Sequence, residues 1–192
     1  MTATATPPNT PPITPPVTRR RGRLWLWIVI AVLAAAAGAL VSHFVFSPKP
    51  VADQAVEALF AARLPAPGGG EVDLGKLRGK TLVVNFWAPW CGPCVEEMPE
   101  LTALHAEYSG RNVEFVGIGI DSASNIQQFL QKVPVAYPLA VAGFSGTELA
   151  RNLGNAQGGL PYTLVIAPDG AVRFTKLGRV HMEELRAALP RS

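Results

Sequence analysis

Two uninterrupted apolar runs in the C-terminal part of the chain predict strands that are buried on both faces. They read TLVVNFW over residues 81–87 and VEFVGIGI over residues 113–120. Continuous β-type runs of this kind are typical of a sheet that is covered on both sides. Between them, apolar side chains recur at helical spacing, which predicts a helix with one buried stripe. The stripe contains Cys94, Met98, Leu101, His105 and Tyr108.

The segments that follow continue the alternation of helix and strand. They are a helix over 124–133, a short strand within 137–143, a short helix over 147–154, two strands within 162–178 around the turn APDG, and a closing helix over 181–190. Ser124 is the expected N-cap of the first helix, and Gly154 the expected end of the second. This order predicts an α/β domain with a mixed central sheet and helices on both faces.

A third apolar run, near the N-terminus, has a different character. Residues 24–41 read LWLWIVIAVLAAAAGALV without a charge, and SHFVF extends the run to Phe46. At about 1.5 Å per residue, a helix over 24–46 can cross a bilayer core of about 30 Å. Trp25 and Trp27 stand at its start, where interfacial aromatic side chains are favoured. The pattern predicts a single N-terminal transmembrane helix.

The charges are unevenly distributed, and this predicts the orientation of that helix. Residues 1–51 carry five basic and no acidic side chains, whereas the remaining residues carry 12 basic and 14 acidic ones. Four of the five are arginines just before the apolar run, so the positive-inside rule places residues 1–23 in the cytoplasm. The domain after the run then faces the periplasm or its equivalent. Without a basic excess, that domain is not expected to bind nucleic acid.

The N-terminal segments set the predicted domain boundaries. Residues 1–18 contain six prolines and no charge, a composition typical of a disordered tail. We expect a disordered tail over 1–23, an anchor over 24–46, a linker over 47–54 and a folded domain over 55–192. A signal peptide cleaved near Ala37–Ala39 is an alternative. A twin-arginine signal fits less well, because Arg23 occupies a position where an apolar residue is expected. With an anchor, a cleaved signal peptide or a twin-arginine signal, the folded domain lies outside the cytoplasm.

The only two cysteines of the chain stand in the stretch WCGPC, residues 90–94. A structural zinc site normally needs four ligands, and there is no second cysteine pair. A structural disulfide across two residues would restrain the unfolded chain very little. A redox-active dithiol fits best, because the pair follows a buried strand and opens a helix.

The position of each cysteine predicts its part in disulfide exchange. Cys91 at the helix N-terminus meets free N–H groups and positive potential, which stabilise a thiolate. Cys94 lies one turn further on and can attack a mixed disulfide to release the substrate. Gly92 and Pro93 shape the turn, since Pro93 lacks only an N–H that the first helical turn does not use.

These residues resemble thioredoxin. NFWAPWCGPC on a strand and helix is similar to the thioredoxin active site, and Pro99 matches the proline that kinks its helix. GGLPYTLVIAPDG resembles the later segment in which a cis-proline faces the dithiol. The resemblance, which covers roughly residues 55–190, implies a thioredoxin fold, with Leu160 and the cis-proline Pro161 in the substrate groove. Trp87 and Trp90 are expected to be aromatic packing residues, with Trp90 beside the exposed sulfur.

The chain departs from thioredoxin at Asn85, and VVNFWAPWCGPCVEEMP with Glu97 resembles a narrower group, the membrane-anchored TlpA and ResA-like thiol–disulfide oxidoreductases. Thioredoxin has a buried Asp where this chain has Asn85, which cannot accept a proton. Glu97 stands three residues after Cys94, where that group has a Glu near the dithiol. The resemblance implies that Glu97 tunes proton transfer and that the protein is a reductant of apocytochrome c or copper-site cysteines. A transmembrane electron donor would keep it reduced.

Two other classes of function remain open. A peroxidase of the peroxiredoxin type would need a Thr shortly before its reactive cysteine, and APWC contains none. A non-catalytic copper carrier would use Cys91 and Cys94 as ligands. For the oxidoreductase itself, no bound cofactor or metal ion is expected.

Overall fold

The computed structural model describes residues 25–35 and 53–190. Residues 25–35 form a helix, α1, inside the predicted anchor, and its large apolar side chains, including Trp25 and Trp27, are exposed. In the part of the chain that is described, no helix combines the length and apolar character needed to cross a bilayer. The predicted tail, the rest of the predicted anchor with the possible cleavage site, and residues 47–52 of the predicted linker lie outside the described residues.

Residues 53–190 form twelve further helices and strands. In chain order they are α2 (Asp53–Ala61), β1 (Arg63–Pro65), β2 (Glu71–Asp73), β3 (Thr81–Trp87), α3 (Gly92–Glu107), β4 (Val113–Gly119), α4 (Ala123–Leu130), β5 (Leu139–Val141), α5 (Gly146–Asn152), β6 (Tyr162–Ile166), β7 (Val172–Leu177) and α6 (Met182–Ala188). Short 3-10 helices cover Leu74–Leu77 and Gly143–Ser145. The predicted hairpin is confirmed, with Gly170 at φ +86° in its turn.

The strands β3 to β7 form one mixed sheet in the order β5-β4-β3-β6-β7. β3, β4 and β5 are parallel, and β6 and β7 are antiparallel to their neighbours. β1 and β2 form a separate two-stranded sheet. The mixed sheet with helices on both faces is the arrangement that the resemblance implies.

Alternating side chains of β3 lie on opposite faces of the sheet, and each face has its own hydrophobic core. Leu82, Val84 and Phe86 pack with apolar side chains of α2 and α5, which defines the α2 face. Val83 and Trp87 pack with α3, α4 and α6, which defines the α3 face. Asn85 lies between Val83 and Trp87 in the alternation and is therefore on the α3 face.

One edge of the sheet brings three separate segments together. The parallel strands β3, β4 and β5 all end there. β6 begins there, because Tyr162 pairs with Phe86 near the end of β3, and β7 ends there, because Leu177 pairs with Tyr162. The Cys91 region after β3, Pro161 before β6 and residues 178–181 after β7 therefore share this edge.

Several local predictions need correction. Ser122, not Ser124, caps α4: its hydroxyl accepts a hydrogen bond from the Asn125 amide at 3.2 Å, which is the N-cap geometry. α4 ends at Leu130 instead of Val133, since the residue before Pro134 is disfavoured in a helix. On α3, Leu104 is fully buried, whereas His105 is only half-buried.

Three elements are absent from the sequence interpretation. α2 begins at Asp53, inside the segment assigned to the linker, and it buries Val56, Leu59 and Phe60. The strands β1 and β2 have three residues each and carry mostly polar or half-buried positions, so no alternation marks them.

Candidate active site

The two cysteines lie at the N-terminus of α3 and form a disulfide with a Cα–Cα distance of 5.3 Å. Cys91 is the N-cap residue, with φ −89° and ψ 100°, and its Sγ accepts a hydrogen bond from the Cys94 amide at 3.3 Å. A sulfur in this position meets the free N–H groups and the positive end of the helix dipole, which favour a thiolate. Cys91 retains 6% exposure, whereas Cys94 has none, so Cys91 is the sulfur nearer to solvent.

The residues around Cys91 leave an approach from solvent. Gly92 and Pro93 are exposed in the first turn of α3, and Trp90 is 68% exposed beside them. Trp90 also borders a cleft of ≈ 380 Å³, whose lining consists of Pro89, Trp90, Asp121, Asn125, Gln128, Phe129 and Lys132. A polypeptide that reaches Cys91 thus meets an aromatic side chain and a mixed polar and apolar cleft.

The Leu160–Pro161 segment directly precedes β6, which pairs with β3, the strand that leads to Cys91. The peptide bond between the two residues is cis, and Pro161 is buried whereas Leu160 is half-buried. The Pro161 carbonyl accepts a hydrogen bond from the Gly178 amide at 2.8 Å. Pro161 is thereby linked to the segment after β7.

Glu97 is a carboxylic acid in the core, with no exposed surface. Its Oε1 accepts a hydrogen bond from Asn85 Nδ2 at 2.7 Å, and its Oε2 accepts one from the Val180 amide at 2.9 Å. Asn85 Nδ2 also donates to Thr163 Oγ1 at 3.0 Å. This buried network joins α3, β3, β6 and the segment before α6. Glu97 follows Cys94 by one helical turn, the spacing at which side chains on a helix are neighbours.

Burial decides the acidity of Glu97. Loss of water raises its pKa from the ordinary 4.5 to about 7, because the charged form is the one that loses hydration. The hydrogen bonds from Val180 and Asn85 and the charge of Arg179 act in the opposite direction, and Glu100 adds a smaller increase. A carboxyl group with a pKa near 7 can accept and return a proton at neutral pH.

From the sequence, Glu96 and Glu100 are expected to be solvated charges on the helix surface, but in the structure both bind one arginine. Arg179 donates from Nη1 to Glu96 Oε2 and from Nη2 to Glu100 Oε1, each at 3.0 Å. Glu96 and Glu100 therefore hold one arginine between them on the exposed surface of α3, close enough for the charges of Arg179 and Glu100 to act on Glu97.

Sequence reasoning did not identify Thr163, Arg179, Val180 or Tyr137 as neighbours of the site. Thr163 carried a readable signal, since it is a polar residue inside the apolar run YTLVI two positions after Pro161. Val180 contributes only its main-chain amide, which no side-chain pattern reveals. The Tyr137 hydroxyl is buried without a hydrogen-bond partner, and burial and the nearby Glu97 charge both raise its pKa.

Within residues 25–35 and 53–190, no cluster of three or more His, Cys, Asp or Glu side chains is placed to hold a metal ion. The arrangement contains instead the elements of thiol–disulfide exchange: an accessible sulfur, a buried partner sulfur and a buried acid one turn away.

Comparisons with known proteins agree with this chemistry. The model of the Redoxin family matches residues 51–189. The thiol-disulfide oxidoreductase ResA of Bacillus cereus is 30% identical over 122 residues, which are 63% of this chain and 68% of that protein.

Solved structures show the same fold. A thioredoxin-related protein from Neisseria meningitidis serogroup B is 35% identical, with a TM-score of 0.59 over 65% of this chain and 94% of that one. A putative thiol:disulfide interchange protein DsbE from Chlorobium tepidum is 26% identical, with a TM-score of 0.59 over 66% of this chain and 89% of that one. The chain therefore belongs to the Redoxin family and is a thiol–disulfide oxidoreductase with a thioredoxin fold.

Proposed function

We propose that this protein reduces disulfides of client proteins outside the cytoplasm, anchored in the inner membrane by residues 24–46. The observation that carries the proposal is the Cys91–Cys94 pair at the start of α3 with the buried Glu97 one turn away. Glycine and proline between the cysteines resemble the reducing thioredoxins. The clients would be apocytochrome c or copper-site proteins, and a membrane-embedded dithiol donor would return the protein to its reduced form.

The reaction begins with attack by the Cys91 thiolate on a client disulfide. A bond forms between Cys91 Sγ and one client sulfur, and the client S–S bond breaks. The second client sulfur leaves as a thiolate and takes a proton from water. The Cys94 amide, which donates to Cys91 Sγ in the disulfide, is placed to stabilise the attacking thiolate as well.

The second step returns the disulfide of the protein. The Cys94 thiol gives its proton to the Glu97 carboxylate, and the Cys94 thiolate then attacks Cys91 Sγ. The Cys91–Cys94 bond forms, the mixed disulfide breaks, and the remaining client sulfur leaves and is protonated. Two electrons have passed to the client, and the donor dithiol must supply two electrons for the next cycle. Trp90, Leu160 and Pro161 would hold the client chain at the sheet edge.

The anchor and the outward orientation rest on the sequence and on one structural feature. The apolar run over 24–46 follows four arginines, and the part of it described as α1 exposes large apolar side chains. On intact cells with a permeabilised outer membrane, a membrane-impermeant thiol reagent should label reduced Cys91. Labelling that appears only after lysis of the inner membrane would refute this orientation.

The division of labour between the cysteines is tested by two matched variants. Cys91→Ser should abolish attack on client disulfides, because it removes the accessible sulfur. Cys94→Ser should still attack but stall as a mixed disulfide, since the resolving sulfur is missing. Non-reducing electrophoresis and mass spectrometry of the trapped adducts would identify the clients. Adducts that accumulate with Cys91→Ser instead would reverse the assignment, and stoichiometric Cu(I) binding without disulfide reduction would favour the copper carrier.

A further inference from the structure

The segment that joins β7 to α6 is attached at three successive residues. The Gly178 amide donates to the Pro161 carbonyl at 2.8 Å. Arg179 binds Glu96 and Glu100 on the outer side of α3, and the Val180 amide donates to Glu97 Oε2 at 2.9 Å. Residues 178–180 therefore connect Pro161, in the predicted substrate groove, to the buried Glu97.

On the protein surface, Arg179 bridges two acids of α3. Glu96 and Glu100 are one helical turn apart, and the two terminal nitrogens of Arg179 each reach one of them at 3.0 Å. A single exposed ion pair contributes little, but the planar guanidinium fork matches two carboxylates in a way that an ammonium group cannot. The fork fixes the main chain at position 179, which precedes the amide that reaches Glu97.

We propose that Arg179 is a positioning residue for disulfide exchange: by holding Glu96 and Glu100 together, it keeps the Val180 amide on the Glu97 carboxylate. The inference rests on the proposed role of Glu97 as proton acceptor for Cys94. The hydrogen bonds of Arg179 itself go to Glu96 and Glu100 and not to the dithiol.

The groups that face Glu97 determine the direction of the effect. Cys94 faces it from the same helix, Tyr137 from the segment before β5, and β3 and β6 contribute only the neutral Asn85 and Thr163. Arg179 is the nearby cation and Glu100 the nearby anion that act on its pKa, while the charge of His181 acts on Glu184. Loss of Arg179 removes a positive charge and loosens the Val180 hydrogen bond. Both changes destabilise the Glu97 carboxylate, so Glu97 should hold its proton to higher pH.

The test uses the full-length protein in detergent micelles with the Glu side-chain carboxyl carbons labelled with ¹³C. In the oxidised state the cysteines do not titrate, so NMR follows Glu97 without interference from the thiols. Arg179→Met should raise the Glu97 titration midpoint by about half a pH unit. The pH midpoint of client disulfide reduction should move upward by a similar amount. Arg179→Lys, which keeps the charge but loses the fork, should give an intermediate shift.

Arg186→Met is the matched control. Arg186 also reaches from the C-terminal region to α3, where it binds Glu107, and its side chain is 45% exposed against 39% for Arg179. This variant loses a similar surface pair and should leave both midpoints unchanged. Unchanged midpoints in Arg179→Met, or an equal shift in Arg186→Met, would overturn the role of Arg179.

Failure of the inference and failure of the proposed function give different results. In the Glu97→Gln background, Arg179→Met should no longer move the pH midpoint of reduction, because its effect passes through Glu97. If Glu97→Gln alone leaves the pH profile of reduction unchanged, the role of Glu97 in proton transfer is wrong. The NMR titration of oxidised Arg179→Met would still decide whether Arg179 sets the proton affinity of that side chain.

Discussion

The two faces of the central sheet differ in how they treat buried polar groups. On the α2 face, the Tyr162 hydroxyl lies among apolar side chains and donates to the Leu153 carbonyl at 2.8 Å. On the α3 face, Glu97 and Asn85 are both buried, and Asn85 Oδ1 has no hydrogen-bond partner. Burial of such groups costs free energy, more so for a group that can carry a charge. The α3 face therefore gives up stability in the same place where it holds the dithiol.

The difference indicates which substitutions will change the free energy of unfolding alone and which will also change the pH dependence of disulfide reduction. A change on the α2 face alters packing at every pH, because the core residues described on that face include no Asp, Glu, His, Lys or Arg. A change at Glu97 alters a group whose proton is gained or lost between pH 5 and 8. Substitutions of each type can be compared directly by urea unfolding of the oxidised, full-length protein in nonionic detergent.

The largest effect is expected for Leu59→Ala on α2. Leu59 is fully buried on the α2 face, so the substitution removes packing and leaves a cavity. The free energy of unfolding should fall by about 2–5 kcal/mol. The loss should be equal at pH 5 and pH 8, and the pH midpoint of client reduction should not move. A loss that depends strongly on pH would mean that the two faces are coupled.

Glu97→Gln should have an effect of similar size but confined to one pH range. The pKa of Glu97 is about 7 in the folded protein against 4.5 ordinarily, so the folded state binds the extra proton. The stability associated with this proton is present below pH 4.5 and is lost as pH rises through 7. Relative to Glu97→Gln, the wild type should lose about 3 kcal/mol between pH 4.5 and pH 8.

The same variant should also change the thiols of the reduced protein. Without the nearby carboxylate, the thiolates are less disfavoured, so their titration midpoint, followed by ultraviolet absorbance, should fall. Exchange at neutral pH should slow, because the proton acceptor for Cys94 is lost. Glu71→Gln is the control, because Glu71 is exposed on β2, whereas the neighbouring acid Glu96 binds Arg179. Equal effects of Glu71→Gln and Glu97→Gln would leave proton transfer to water.

The smallest effect is expected for Tyr162→Phe. The substitution removes a satisfied hydrogen bond to the Leu153 carbonyl and keeps the ring in place. The free energy of unfolding should fall by about 1 kcal/mol, by the same amount at pH 5 and pH 8. A pH-dependent loss would show that buried polar groups on the α2 face also respond to titration.

The central sheet and the dithiol could be predicted from the sequence, because both depend on local patterns. The continuous run of β3 and the spacing of Cys91 and Cys94 identify a buried strand followed by a reactive helix start. The surroundings of Glu97 were not predictable in the same way. Asn85, Thr163 and Val180 are far apart in the chain, and only the register of β3 with β6 and the path of the segment after β7 bring them together.

The interpretation of the surface acids shows the same limit. Glu96 and Glu100 have the spacing of ordinary solvated helix charges, and nothing near them in the sequence indicates a partner. Their arginine comes from a segment about 80 residues later, which reaches α3 only because β6 and β7 return to the same edge of the sheet. The helical pattern predicted which side of α3 faces the core but not what packs on its other side.

The hydrogen bond from the Val180 amide has a consequence for mutational robustness. Every residue except proline supplies the same main-chain donor, so substitutions at position 180 affect this hydrogen bond only through the packing of the fully buried Val180 side chain. The other hydrogen bond to Glu97 depends on the amide of Asn85, which few other side chains can replace. A saturation screen for lost activity should therefore accept apolar residues of similar size at position 180 and few residues of any kind at position 85, although each position supplies one hydrogen bond to the same carboxylate. Among apolar residues of similar size, proline is the one that would remove the main-chain donor at position 180.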